Sequence, residues 1–249
     1  MTEVSNKTFA EIVTANNHAA LVLQKFKLDY CCKGKRTLET ACVENNIPLP
    51  KVLLELEKLQ DEYRYKNIIS FTEMNAGQLI AHILTHHHFF VKQAVPQITM
   101  HLTKLVQKHG NRFDWIYEGY NTFEALQQEL LQHMNKEELV LFPYIKEIEK
   151  VYKGGIPSCA VINISVPIKI MKHEHEEAGR LMERLREITN NYTPEETACT
   201  THRVTLAELQ EFEENLHQHV HLENNILFPL AIKMYNEYIQ QKSYKQICS

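Results

Sequence analysis

Two stretches of this chain carry the same chemistry-bearing residues at the same offsets. His133-Met134-Asn135-Lys136-Glu137 runs on to Phe142-Pro143, and His219-Val220-His221-Leu222-Glu223 runs on to Phe228-Pro229. Residues four apart on a helix share one face, so each stretch presents an imidazole and a carboxylate in one direction. Counting about 100° per residue puts His133 and Glu137 on the arc of Leu126, Leu130, Leu141 and Tyr144. It puts His219 and Glu223 on the arc of Phe212, Leu216, Leu227 and Leu230. A single pair of this kind is an ordinary link on a solvated helix, worth roughly a few tenths of a kcal/mol. Two copies on apolar faces are another matter, because groups turned inward carry a desolvation cost that a bound metal ion offsets.

The repeat extends beyond these motifs. His88 precedes His133 by 45 residues and His175 precedes His219 by 44, the pattern of a duplicated helix pair. His175 falls on the apolar arc of Met171, Ala178 and Met182, while His173 turns away from it. In the first long segment Ala81, Leu84, Val91 and Val95 mark the buried side. His87 and His88 both flank the centre of that side, and periodicity does not choose between them; His82 and His86 lie off it. The same count sends His217 and His221 outward to solvent. Two imidazoles and a share in each of two bridging carboxylates give each of two metals four protein donors. A solvent-derived oxo or hydroxo bridge makes five and leaves a position open on each metal for a small ligand. Mixed nitrogen and oxygen ligation of this kind suits iron, and 14 histidines against seven glycines and one tryptophan fit a metal protein.

The elements that must position these donors are helices. Alternating strand-like runs are nearly absent. Short helices are expected over 8–15, 17–27, 37–46 and 50–62, and long ones over 72–108, 119–152, 167–190 and 194–241. Pro167 and Pro194 suit first turns, whereas Pro96, Pro143 and Pro229 should kink or end their helices. The expected fold is all-α: a small helical domain at 1–66 carrying Cys31 and Cys32, then an antiparallel four-helix bundle at 67–249. A net charge of −4 argues against a nucleic-acid partner. Six irregularly spaced cysteines, and the lack of a leader-like start or an apolar run of membrane length, point to a cytoplasmic protein.

With these residues in view, the chain resembles the iron-sulfur cluster repair di-iron proteins, the repair-of-iron-centres family, over nearly its whole length. The stretches that carry the resemblance are Asp29 through Lys35 with Thr37-Leu38, His133 through Pro143, Glu174 through Gly179, and His219 through Pro229. It implies a hemerythrin-like bundle with His88, His133, Glu137, His175, His219 and Glu223 holding two irons, and Glu137 and Glu223 bridging. The spacing back from Pro96 is what favours His88. Glu129 and Glu174 match acidic positions near the family's metals, where ligand access or proton delivery is the implied role. Adjacent Cys31 and Cys32 suit thiol exchange or transient metal transfer, with Lys33, Lys35 and Arg36 lowering a thiolate pKa. Lys33 departs from the family, which usually has glycine there. The implied function is repair of iron-sulfur clusters damaged by nitrosative or oxidative stress, by iron donation, by nitric oxide reduction, or by both. The competing reading is a hemerythrin-like carrier or sensor of O2 or NO. Implied partners are damaged or apo iron-sulfur proteins, a cluster-assembly scaffold, NO or O2, and a second copy of the chain.

Overall fold

The computed structural model describes residues 2–30, 34–63 and 71–247, and among these the chain is all-α, without a strand. It divides into two compact units. One comprises Met1–Leu79 and His217–Leu230; the other comprises Ile80–Leu216 and Ala231–Ser249.

In the smaller unit five helices follow one another: α1 (Thr2–Ser5), α2 (Phe9–Ala15), α3 (Ala19–Lys25), α4 (Leu38–Glu44) and α5 (Leu49–Tyr63). Their starts are set by side chains that satisfy backbone donors the first turn leaves over. The Thr8 hydroxyl accepts from the Glu11 N–H at 3.2 Å while the Glu11 carboxylate accepts from the Thr8 N–H at 2.8 Å. Thr37 caps α4 in the same way, accepting from the Thr40 N–H at 3.2 Å. The two caps pair with each other, and the Ala10 N–H donates to the Gly34 carbonyl at 2.9 Å. Inside lie Phe9, Val13, Leu23, Leu38, Ala41 and Val52. Tyr30 is fully buried and stands edge-on to both His217 and His221, with ring centroids 5.9 and 5.8 Å away. The Gln24 amide donates to its hydroxyl at 3.2 Å. Cys31, Cys32 and Lys33, and the expected domain boundary near residue 66, lie outside the described residues.

The larger unit is built on long helices: α6 (76–109, of which the first four residues belong to the smaller unit), α7 (115–152), α8 (Ser165–Ile188) and α9 (200–247, interrupted by the smaller unit's 217–230). Side-chain contacts fix their directions. His87 meets Asn215, Phe90 meets Phe212, and Gln97 meets Glu208, so α6 and α9 run antiparallel. Lys92 with Glu138 and Thr99 with Gln127 do the same for α6 and α7. Lys136 with Glu174 and Arg184 with Glu118 do so for α7 and α8. Phe123, Leu126, Leu130, Met171, Met182, Leu209 and Phe212 fill the interior. The expected start of α9 at Pro194 is not where the helix begins. Asn190, Asn191 and Tyr192 all take φ between 46° and 58°, a left-handed turn that carries the chain past Pro194, and α9 starts only at Thr200.

Three of these helices contain a π-turn, a helical turn widened by one residue: Ile83–His88, Glu137–Leu141 and Glu223–Leu227. In each, the following phenylalanine N–H reaches back five residues, from Phe89 to Leu84, from Phe142 to Glu137 and from Phe228 to Glu223. Pro143 and Pro229 come next in two of them. Proline has no N–H, and its ring would meet the carbonyl four residues back; a wider turn just before it relieves that clash. The extra residue also shifts the buried face. Counted from Val91, α6 should bury Leu84 and Ala81, but the buried residues are Ile83 and Ile80, while Ala81 is exposed. Beyond the other two turns, Ile145 and Ala231 are fully buried where a regular helix would have used Tyr144 and Leu230.

Candidate metal centre

In the larger unit α6, α7 and α8 bring four of the expected donors together. His88, His133 and His175 are buried, and Glu137 is completely so. Glu137 stands between two imidazoles, with one carboxylate oxygen 3.4 Å from His88 Nε2 and the other 3.2 Å from His133 Nε2. His133 Nε2 and His175 Nε2 face each other at 3.0 Å. In the smaller unit the second copy of the motif takes the same local form. His219 Nε2 lies 3.1 Å from a Glu223 oxygen, and both residues are fully buried. Each glutamate opens a π-turn, so the shared Phe-Pro trailer belongs to the geometry that presents it.

Behind two of the imidazoles stands a second carboxylate. His88 Nδ1 lies 2.8 Å from Glu138, which also takes Lys92 at 2.7 Å. His133 Nδ1 lies 2.8 Å from Glu174, which takes Lys136 at 2.5 Å. Partial burial pushes both carboxyls up. Donation from Lys92 and His88 to Glu138, and from Lys136 and His133 to Glu174, outweighs it and holds both below the usual carboxylate value. A carboxylate that accepts from Nδ1–H fixes the ring's orientation and leaves the Nε2 lone pair for a metal.

Within the larger unit His133, Glu137 and His175 are arranged as a cation would need, their donor atoms within 4.8 Å of one another. Within the smaller unit His219 and Glu223 repeat the imidazole and carboxylate pair. Imidazole nitrogens and carboxylate oxygens withdrawn from water in this way fit a transition-metal ion, which supplies the positive charge that burial otherwise makes costly.

A hemerythrin HHE cation binding domain matches residues 78–231, and a domain of unknown function (DUF542) matches residues 5–60. The chain is 32% identical over 228 residues to the iron-sulfur cluster repair protein YtfE of Pectobacterium atrosepticum, covering 92% of this chain and 97% of that one. This chain belongs to the iron-sulfur cluster repair family. A probable iron-sulfur cluster repair protein of Haemophilus influenzae is likewise 32% identical, with 92% and 97% covered. YtfE of an Enterobacter species is 31% identical, with 91% and 97% covered.

Other residues that the sequence suggested for this repair-family chain fall differently. Glu174 sits against His133, as above. Glu129 is exposed, one turn from His133 on the water side of α7. His221 is buried rather than solvated, because α9 from His219 to Glu223 is covered on every side. Asn225 lies 3.0 Å from its Nδ1, and burial holds its pKa down to about 4. Glu138 was missed. It follows Glu137 directly, and a reading that keeps only the inward face discards its neighbour 100° around the helix; a second carboxylate one residue from an expected ligand was the available signal. His87 and His88 are both buried, but His87 turns its Nδ1 to Asn215 at 3.1 Å while His88 faces Glu137. Accordingly His88→Ala is expected to lower the bound metal, and His87→Ala to leave it unchanged. Metal analysis of both variants, with helicity confirmed by circular dichroism, checks this; equal losses would reject the assignment.

Proposed function

We propose that this protein repairs iron-sulfur clusters damaged by nitrosative or oxidative stress, using two iron ions held by His88, His133, Glu137, His175, His219 and Glu223. What supports the reading is the buried set of His133, Glu137 and His175 in the larger unit and the buried pair of His219 and Glu223 in the smaller, in a chain whose relatives are named for cluster repair. Two buried glutamates, each beside imidazoles, suit two metals bridged by protein oxygens, as in other helical di-metal carboxylate proteins. Iron bound there supplies a redox couple, exchangeable metal and open positions for a small ligand such as NO.

The protein's part is positional. Glu138 and Glu174 hold His88 and His133 with Nε2 forward, and Lys92 and Lys136 keep those two carboxylates charged. The buried leucines and phenylalanines around the donors exclude water, which strengthens each ligand's electrostatic hold. Clients of the reaction are iron-sulfur proteins that have lost iron or cluster. No described helix is long and apolar enough to cross a membrane, in keeping with work in the cytoplasm.

The test is transfer. Protein loaded anaerobically with isotopically labelled iron is mixed with an apo iron-sulfur acceptor, and label is expected to appear in the acceptor's cluster. In a parallel assay the reduced protein is expected to convert NO to nitrous oxide over repeated turnovers. Label that stays put, together with a dead-end nitrosyl adduct, would overturn the proposal.

A further inference from the structure

About 27 Å of α7, at 1.5 Å per residue, separates Trp115 from His133, and at the Trp115 end another histidine is buried for which the proposed metal centre has no use. His202, in the first turn of α9, is 1% exposed. Phe113, in the connection between α6 and α7, stands edge-on to its ring with centroids 4.7 Å apart, and the Trp115 ring lies tilted against it at 5.2 Å. The Nδ1 of His202 is buried and has no hydrogen-bond partner among the described residues. A polar nitrogen buried without a partner is costly, and a charged one far more so. The ring is therefore held neutral. Burial pushes its pKa down; Glu195 pulls the other way, and His109 and Arg203 add to the effect of burial. Arg112, 5.3 Å from the centre of the Phe113 ring, brings a further positive charge to the same cluster.

What His202 secures is the approach to α9. Arg203, the next residue, donates from its guanidinium to the carbonyls of Glu195, Glu196 and Ala198 at 3.2, 2.9 and 3.1 Å, and its N–H reaches the Cys199 carbonyl at 3.1 Å. The segment ahead of α9 is thus tied to the helix's first turn, and that turn rests its His202 ring on Phe113 and Trp115. Cys199, half-buried and three residues before His202, packs against the apolar cluster of Leu105, Phe113 and Ile116.

We propose that His202 is a pH-operated latch, which when neutral holds the first turn of α9 against Phe113 and Trp115, and when protonated in mild acid leaves for water, opening that turn and baring Cys199. An imidazolium carries a proton on both nitrogens, and here the Nδ1–H would meet aromatic rings instead of an acceptor. Arg203, His109 and Arg112 add like charge, and Glu195 does not outweigh burial. The closed form therefore binds fewer protons than the open one. Closure is at full strength above the ordinary histidine value near 6.5 and weakens as the pH falls below it, by at most about tenfold per pH unit. Local opening of this kind needs no global unfolding.

Hydrogen exchange of the full chain as purified, followed by mass spectrometry at pH 7.5 and 5.5 and corrected for the inherent pH dependence of amide exchange, reads the opening of residues 196–206. The opening constant is expected to rise about tenfold in the parent. It is expected to stay level in His202→Leu, whose apolar side chain fills the same place with no proton to gain. His202→Gln, polar but uncharged at both pH values, is expected to stay level too, and it decides the matter should the leucine variant not fold. Reaction of Cys199 with a pyridyl disulfide, located by peptide mapping and expressed relative to urea-unfolded protein at the same pH, is expected to follow the same pattern. A rise of equal size in the parent and both His202 variants would overturn the latch. So would a response that persists in His202→Leu but vanishes in His109→Gln, which would make His109 the sensor. Opening that leaves Cys199 unreactive would overturn its exposure.

Discussion

Glu137→Gln is expected to strip the bound metal from the protein. Its carboxylate stands between His88 and His133 and is fully withdrawn from water, so under the proposed bridging role one substitution removes an anionic donor from each of two metals. Changing a group that merely supports a metal ligand costs about 10–100-fold in affinity, and loss of a shared ligand should exceed that. Glutamine keeps the side chain's shape, so the helix and its π-turn remain. The second readout is stability. A metal held at about 1,000 times its dissociation constant adds roughly 4 kcal/mol per ion to folding, so chelation should lower the parent's unfolding midpoint sharply. Glu137→Gln should unfold at the same midpoint with and without chelator. A variant that retains two ions, or that still responds to chelation as the parent does, would show that Glu137 is not shared between them.

Tyr30→Ala should be the most damaging substitution in the smaller unit. The ring is fully buried and wedged against His217 and His221, and truncating a buried aromatic residue costs about 3–5 kcal/mol, the cavity included. Tyr30→Phe keeps the ring and loses only the hydrogen bond from Gln24, a cost of about 1 kcal/mol. Urea unfolding of the metal-free proteins separates this packing effect from any loss of metal. If the two variants proved equally mild, the ring would not be a wedge in solution.

The all-α class and the duplicated His/Glu motif were legible in the sequence, because a periodic pattern of apolar residues reports which face a helix buries. Within a regular stretch such as Leu126 to Glu137 the count of 100° per residue worked residue by residue. It failed across the π-turns, where the added residue moved burial from Ala81 to Ile80 and from Tyr144 to Ile145. Sequence periodicity contains no mark for such a turn, although the proline after Phe142 and after Phe228 was a hint. His221 was misread for a different reason. Amphipathic reasoning assumes that each helix keeps one wet face, and α9 has none where Tyr30 and its neighbours cover it. Glu138 escaped because its value lies in a contact with α6, and contacts between helices leave no trace in the pattern of one helix.

That Tyr30 meets His217 and His221 also bears on how the chain can be cut. The smaller compact unit is not one length of polypeptide; it joins the first 79 residues to a fourteen-residue span of α9. A protease site or gene truncation placed ahead of α6 would therefore not release a self-sufficient domain. The amino-terminal fragment would lose the partners that its tyrosine packs against. The remainder would carry the all-round buried stretch from Val220 to Leu222 with one side newly wet. In assembly terms the smaller unit is stitched from two separate lengths of chain, which must be made together.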